Sequence, residues 1–181
     1  LATIPIDTEY VIVEIGTSNL GEIAELSKIV KPDYVVITDV SIGHIEGLKS
    51  LDNIVQEKAS ICLGQKHMGT AILPSDIEKF SQLKAKVEDF GSNVISFGED
   101  ETSDVRISNI EVLNNFITST ILDQEQNLWN IKLKTAGKHY IKNAAGLLAL
   151  VASLKLNSSK AISALQNWSP LAGRGQVLEI K

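Results

Sequence analysis

Five side chains in this sequence have types and settings that suit chemistry. Glu14 stands inside the apolar run "YVIVEI" (10–15). A carboxylate there is costly unless it reaches water at a strand end, pairs with a lysine or holds a cation. His44 follows "TDVSIG" with Glu46 close by; it is either a surface loop histidine or a ligand. Lys58 falls on a predicted helix, where a lysine is solvated unless a site claims it. Asn143 interrupts an apolar helix start; it either satisfies nearby backbone or reads a ligand's edge. Arg174 sits in "GRGQV" between two glycines. Glycines permit close approach of a ligand and Arg suits phosphate, the alternative being a mobile turn with a surface Arg. Taken together, a carboxylate and an imidazole at adjacent strand ends, with an Arg-bearing glycine turn far downstream, suggest a phosphate–Mg²⁺ site. Mg²⁺ prefers oxygen and keeps several waters. Zinc is less favoured, because the sequence has no Cys/His cluster.

The stretch "VIVEIGTSNLGEI" (11–23) raises a related question. Gly16 and Gly21 have the spacing of a phosphate-binding loop, G-x-x-x-x-G-K-[ST]. Glu22 and Ile23 then stand where that loop needs Lys and Ser or Thr. No Gly-Lys-Thr occurs elsewhere in the chain. Residues 16–21 therefore keep the glycine spacing of such a loop without its phosphate-binding cation.

The elements that must position these residues alternate. "YVIVEI" reads as a buried strand. A helix follows Asn19 and ends at Lys31-Pro32, since Pro cannot continue it. "YVVIT" (34–38) is the next strand. Ser50 is placed to cap a helix from about Leu51 to Cys62. "TAIL" (70–73), a helix from Ser75-Asp76 to about Glu88, and "NVISF" (93–97) complete the series. This order predicts an α/β fold with right-handed crossovers and a mostly parallel sheet. Its chemistry belongs at the carboxyl ends of the strands: Glu14 to Asn19, Asp39 to His44 and Pro74 to Asp76. From Asp104 to Lys134 three alternating stretches predict a small antiparallel sheet. After Gly137 the sequence is Ala/Leu-rich and helical, and Asn157-Ser158-Ser159 caps a last helix. The whole reads as one domain over 1–181: a parallel α/β part (1–100), antiparallel strands (101–136), then helices and a hinge (137–181).

The bulk numbers narrow the field. A net charge of −5 with no Lys/Arg block argues against a nucleic-acid or acidic-membrane surface. Cys62 is the one cysteine, so no internal disulfide forms, which fits a reducing cytosol. No apolar run approaches the roughly 20 residues of a membrane span. The N-terminus has no initiator Met and no basic n-region, and reads as the cut edge of a longer chain.

At this point the sequence resembles the central, ATP-binding domain of the Mur ligases. The likeness rests on "VIVEIGTSNLGEIAEL", "ITDVSIGHIEGLKSLDNIVQEKASI" and "GRGQV", and covers nearly the whole chain. It implies a fragment of a cytoplasmic, monomeric three-domain enzyme that performs ATP-dependent amide ligation through an acyl phosphate. "GEI" and "GRGQ" point to the member that joins D-alanyl-D-alanine to UDP-N-acetylmuramoyl-tripeptide in peptidoglycan precursor synthesis. By resemblance, Glu14 and His44 bind Mg²⁺ ions beside the ATP phosphates. Lys58 matches the lysine that CO₂ carbamylates, turning a cation that would repel Mg²⁺ into an oxygen ligand. Asn143 matches the adenine-contacting asparagine, and Arg174 the arginine that reaches the γ-phosphate. Two positions depart from the family: "HYIKN" has Tyr140 where an Asn is usual, and "LPSD" keeps Asp76 without its usual Asn partner. The phosphate loop would lie upstream, so the chain alone is expected to bind ATP weakly or not at all and to be inactive. Rival readings are another Mur-type or folylpolyglutamate-type ligase and, from a different class, a non-catalytic α/β binding module.

Overall fold

The structure, a computed structural model, describes residues 3–41, 48–66 and 68–170. Its elements run α1 (Glu22–Val30), β1 (Tyr34–Val36), α2 (Leu51–Ala59), a 3₁₀ turn (Ser60–Gly64), β2 (Thr70–Pro74), α3 (Phe80–Asp89), β3 (Asn93–Gly98), β4 (Val105–Leu113), β5 (Phe116–Leu122), β6 (Leu128–Leu133), α4 (Lys138–Ser153) and α5 (Ser158–Asn167). One six-stranded sheet is ordered β1-β2-β3-β4-β5-β6. Helices α2 and α3 provide the crossovers between β1, β2 and β3, as the alternating pattern predicts. The antiparallel strands extend this same sheet and do not form a separate one. Phe97 and Gly98 of β3 pair in parallel with Val105 and Arg106 of β4, and β4, β5 and β6 then pair antiparallel.

The chain divides into two compact units, residues 1–35, 40–71 and 81–94 against residues 36–39, 72–80 and 95–181. In the first, Ile23 of α1, Ile54, Val55 and Ala59 of α2, Cys62, Ala71, Leu83 and Val87 are buried. Ser50 caps α2 by accepting the Asn53 N–H at 3.2 Å. α1 stops at Lys31, which turns left-handed (φ 51) just before Pro32. In the second unit, β5 and β6 bury alternate residues: Ile117, Ser119 and Ile121, then Trp129, Ile131 and Leu133. Against them lie Ile141, Ala144, Ala145, Leu148 and Ala149 of α4, at the spacing of one helix face. Asn157 caps α5 by accepting the Lys160 N–H at 2.9 Å.

Two expected elements differ. The run 10–15 is not a strand: Ile12 is 96% exposed and Val13 42%. Continuous apolar character predicts a strand only where a neighbour takes up its backbone hydrogen bonds, and among the described residues none pairs with this run. The helix expected from Ser75-Asp76 begins at Phe80 instead. Ser75 and Asp76 direct their side chains to residues 97–103 and leave the cap position unused.

Candidate functional site

In the first unit, the turn after Glu14 is held by two carboxylates. Glu22 opens α1 and folds back on the turn, accepting the Ser18 N–H at 2.8 Å, the Asn19 N–H at 3.1 Å and the Asn19 side-chain amide at 2.8 Å. The Asn19 side chain, then the Ser18 and Asn19 amides, stabilise the anion and hold its pKa down at about 2. Glu57, from α2, accepts the Gly21 N–H at 2.6 Å and the Ile23 N–H at 2.9 Å. Gly21 is left-handed (φ 92) and has no side chain to cap α1, so Glu57 acts as the cap from a distant element. Four amides around the glycine frame thus already face carboxylates. A phosphate would need those same donors, which explains in physical terms why Glu22 stands where a cation would be expected.

In the second unit, Thr38 and Asp39 follow the carboxyl end of β1 and line an open cavity of about 460 Å³ with His139, Lys142 and Asn143 of α4. His139, Lys142 and Asn143 share one side of the helix because they are three and four residues apart. Beside them, Lys142 pairs with Asp76 at 3.1 Å. Asp76, just past β2, also accepts the Glu99 N–H at 2.9 Å and the Asp100 N–H at 3.3 Å. One carboxylate therefore links the ends of β2 and β3 to the helix that lines the cavity. Gly98 makes this approach possible, since a Cβ there would lie 2.1 Å from Ser75 Oγ and 2.5 Å from Asp76 Oδ1. His139 lies against Tyr140 (centroids 4.0 Å apart), and Tyr140 against Trp168 (5.0 Å).

Among the residues predicted from sequence, Asn143 is exposed on α4 and borders the cavity. Glu14 is exposed in the first unit, and Lys58 is half-buried on α2 of the same unit. His44 and Arg174, like Glu46 and His67, lie outside the described residues. Sequence reasoning passed over Lys142 and Glu57. The signal for Lys142 was its place three residues after His139 and beside Asn143. Glu57 gave none, because its partners are 34 to 36 positions away.

Open α/β sheets take their ligands past the carboxyl edges of their strands, and this cavity lies there, beside the first turns of a helix. Residues 1–151 match the family described as the Mur ligase middle domain, and this chain belongs to that family. The UDP-N-acetylmuramoyl-tripeptide–D-alanyl-D-alanine ligase of Buchnera aphidicola is 31% identical over 152 residues, covering 84% of this chain and 33% of that protein. MurF from Acinetobacter baumannii matches with a TM-score of 0.88 at 22% identity, over 98% of this chain and 38% of that one. The MurF ligase from Thermotoga maritima, solved in complex with ADP, gives 0.78 at 24% identity, over 91% and 37%. The two structures show the shared fold. The chain spans between a third and two fifths of the length of these relatives. The Buchnera relative carries the ligase name that "GEI" and "GRGQ" point to.

Proposed function

We propose that the protein containing this chain is an ATP-dependent amide ligase that joins D-alanyl-D-alanine to UDP-N-acetylmuramoyl-tripeptide in the cytoplasm. This chain would supply its nucleotide- and metal-handling part. The observation that carries the reading is the cavity bounded by Thr38, Asp39, His139, Lys142 and Asn143 in a Mur ligase middle domain. Its volume of about 460 Å³ and its mixed polar and apolar surface leave room for the base and ribose of a nucleotide, with Asp39 and Asn143 as hydrogen-bonding groups. The donor chemistry also fits Mg²⁺, which needs one or two carboxylates and otherwise keeps water. Glu14 presents such a carboxylate to solvent.

In this reading Asn143 contacts the adenine edge, Glu14 and His44 hold Mg²⁺, and Arg174 meets the γ-phosphate. Lys58 joins the metal site as a carbamate, because an ammonium would repel the ion. When bound, Mg²⁺ supplies charge neutralisation on the transferring phosphoryl group. The tripeptide carboxylate takes that group from ATP and becomes an acyl phosphate. The dipeptide amine then attacks the acyl carbon, phosphate leaves with the C–O electron pair, and the amine proton passes to solvent. No nucleophilic side chain of the protein is needed. No helix among the described residues is long and apolar enough to cross a membrane.

The test uses the complete protein. Glu14→Ala and Lys58→Ala should each lower ligase turnover by about 10²-fold or more, the scale of losing electrostatic stabilisation of the transition state. A short carboxylic acid should partly rescue Lys58→Ala. Wild-type rates in both variants would remove the metal assignment.

A further inference from the structure

Glu57 plays no part in the mechanism above, yet it is a carboxylate with only 2% exposure. It sits on α2 directly before Lys58. Both of its oxygens face one turn: Oε2 accepts from Gly21 N–H at 2.6 Å and Oε1 from Ile23 N–H at 2.9 Å, while the Thr17 hydroxyl, which donates to the Asn19 carbonyl at 2.6 Å, lies 3.5 Å from Oε1. A buried anion persists only when well-placed hydrogen bonds offset its desolvation, and the positive end of α1 helps to do so. Thr17 lies three residues after Glu14, at most about 11 Å along the extended chain. Lys58 is the next residue after Glu57, roughly 3.8 Å away at Cα. One side chain therefore ties the turn after Glu14 to the helix that carries Lys58, through short tethers on both sides.

We propose that Glu57 is a positioning residue for the metal site: it fixes the spacing between Glu14 and Lys58 by clamping the turn 17–23 onto α2. The inference rests on the metal reading given under Proposed function. A glutamine at this position keeps the shape but turns an amide N–H₂ toward a backbone N–H, so the clamp loosens while the core stays filled. Groups that orient metal ligands alter metal affinity by about 10- to 100-fold when lost, and Glu57 acts one step further out, through the backbone of the turn.

The experiment compares the complete wild-type protein with Glu57→Gln and Thr17→Val. Two quantities are read: Mn²⁺ binding in the presence of ADP by electron paramagnetic resonance, without turnover, and the Mg²⁺ concentration for half-maximal ADP formation. Glu57→Gln should weaken Mn²⁺ binding by about tenfold or more and raise the half-saturating Mg²⁺ by the same factor, with the rate recovering as Mg²⁺ is increased. Thr17→Val, which removes the 3.5 Å approach to Glu57 together with the hydroxyl's bonds to the Asn19 carbonyl and Glu22 that hold the same turn, should move both in the same direction by about twofold. A residue that merely caps α1 would lower the melting temperature and leave both metal constants where they were; that result overturns the inference. If Glu57→Gln does not fold, unchanged Mn²⁺ binding in Thr17→Val overturns it equally. A wild-type protein that binds no Mn²⁺–ADP overturns the metal reading and this inference together. Binding by the wild type with an identical constant in Glu57→Gln overturns this inference alone.

Discussion

Gly98→Ala is the substitution whose effect follows most directly from the geometry. The new methyl carbon would lie 2.1 Å from Ser75 Oγ and 2.5 Å from Asp76 Oδ1, well inside van der Waals contact. Both side chains can rotate away, so the cost is that of the bonds they abandon. Ser75 Oγ donates to the Phe97 carbonyl at 3.0 Å, a neutral bond contributing about 1 kcal/mol. Asp76 accepts two backbone amides, at 2.9 Å and 3.3 Å, and such bonds to a charged group contribute about 1.5 kcal/mol each at the low end. The gain from a stiffer unfolded chain offsets roughly 0.4–1 kcal/mol of this loss. The net destabilisation from these three bonds is about 3 kcal/mol, a lower bound because Ser75 also gives up its 2.7 Å bond to Ser103 Oγ and Asp76 its 3.1 Å pair with Lys142. Trp129 is buried in the core of the same unit and reports its unfolding by fluorescence. With a urea slope of about 2–3 kcal/mol per molar, the midpoint should fall by about 1–1.5 M. A midpoint within about 0.3 M of wild type would show that Ser75 and Asp76 do not hold the ends of β2 and β3 as described.

Two further outcomes concern single ionisable groups. The Glu22 pKa lies at about 2, below its ordinary 4.5, so folding favours the anion. Its stabilisation of the turn is then complete above 4.5 and fades as pH falls from 4.5 toward 2. The Glu22 carboxyl carbon should titrate near the lower value by NMR, and a midpoint at 4.5 would mean that the turn does not hold its charge. Burial pushes the Cys62 thiol up to about 11 and leaves it 2% exposed. At pH 8 the native chain should resist a thiol-specific disulfide reagent and the urea-unfolded chain should react with one equivalent; prompt labelling of the native chain contradicts the burial.

Much of the scaffold was legible in the sequence because its signals are local. Alternation in 104–134, the apolar stripe of α4, and the caps at Ser50 and Asn157 each depend on neighbours a few residues away. Errors arose where the deciding partner is remote. "YVIVEI" has the composition of a buried strand, but pairing decides whether it becomes one. Ser75 and Asp76 look like helix caps until Gly98 brings residues 97–100 within their reach. The same division runs through the site. Asn143, which borders the cavity, stands out in the sequence only as an interruption of an apolar helix. Lys142 and Glu57 acquire meaning only from Asp76 and from the turn at Gly21.

The most direct test of the account is product formation by the complete protein. Supplied with Mg²⁺, ATP, UDP-N-acetylmuramoyl-tripeptide and D-alanyl-D-alanine, it should release ADP and phosphate in step with a pentapeptide product seen by mass spectrometry. Omitting either peptide substrate should stop product formation. A properly folded protein that yields neither ADP nor the pentapeptide under those conditions would contradict the ligase reading.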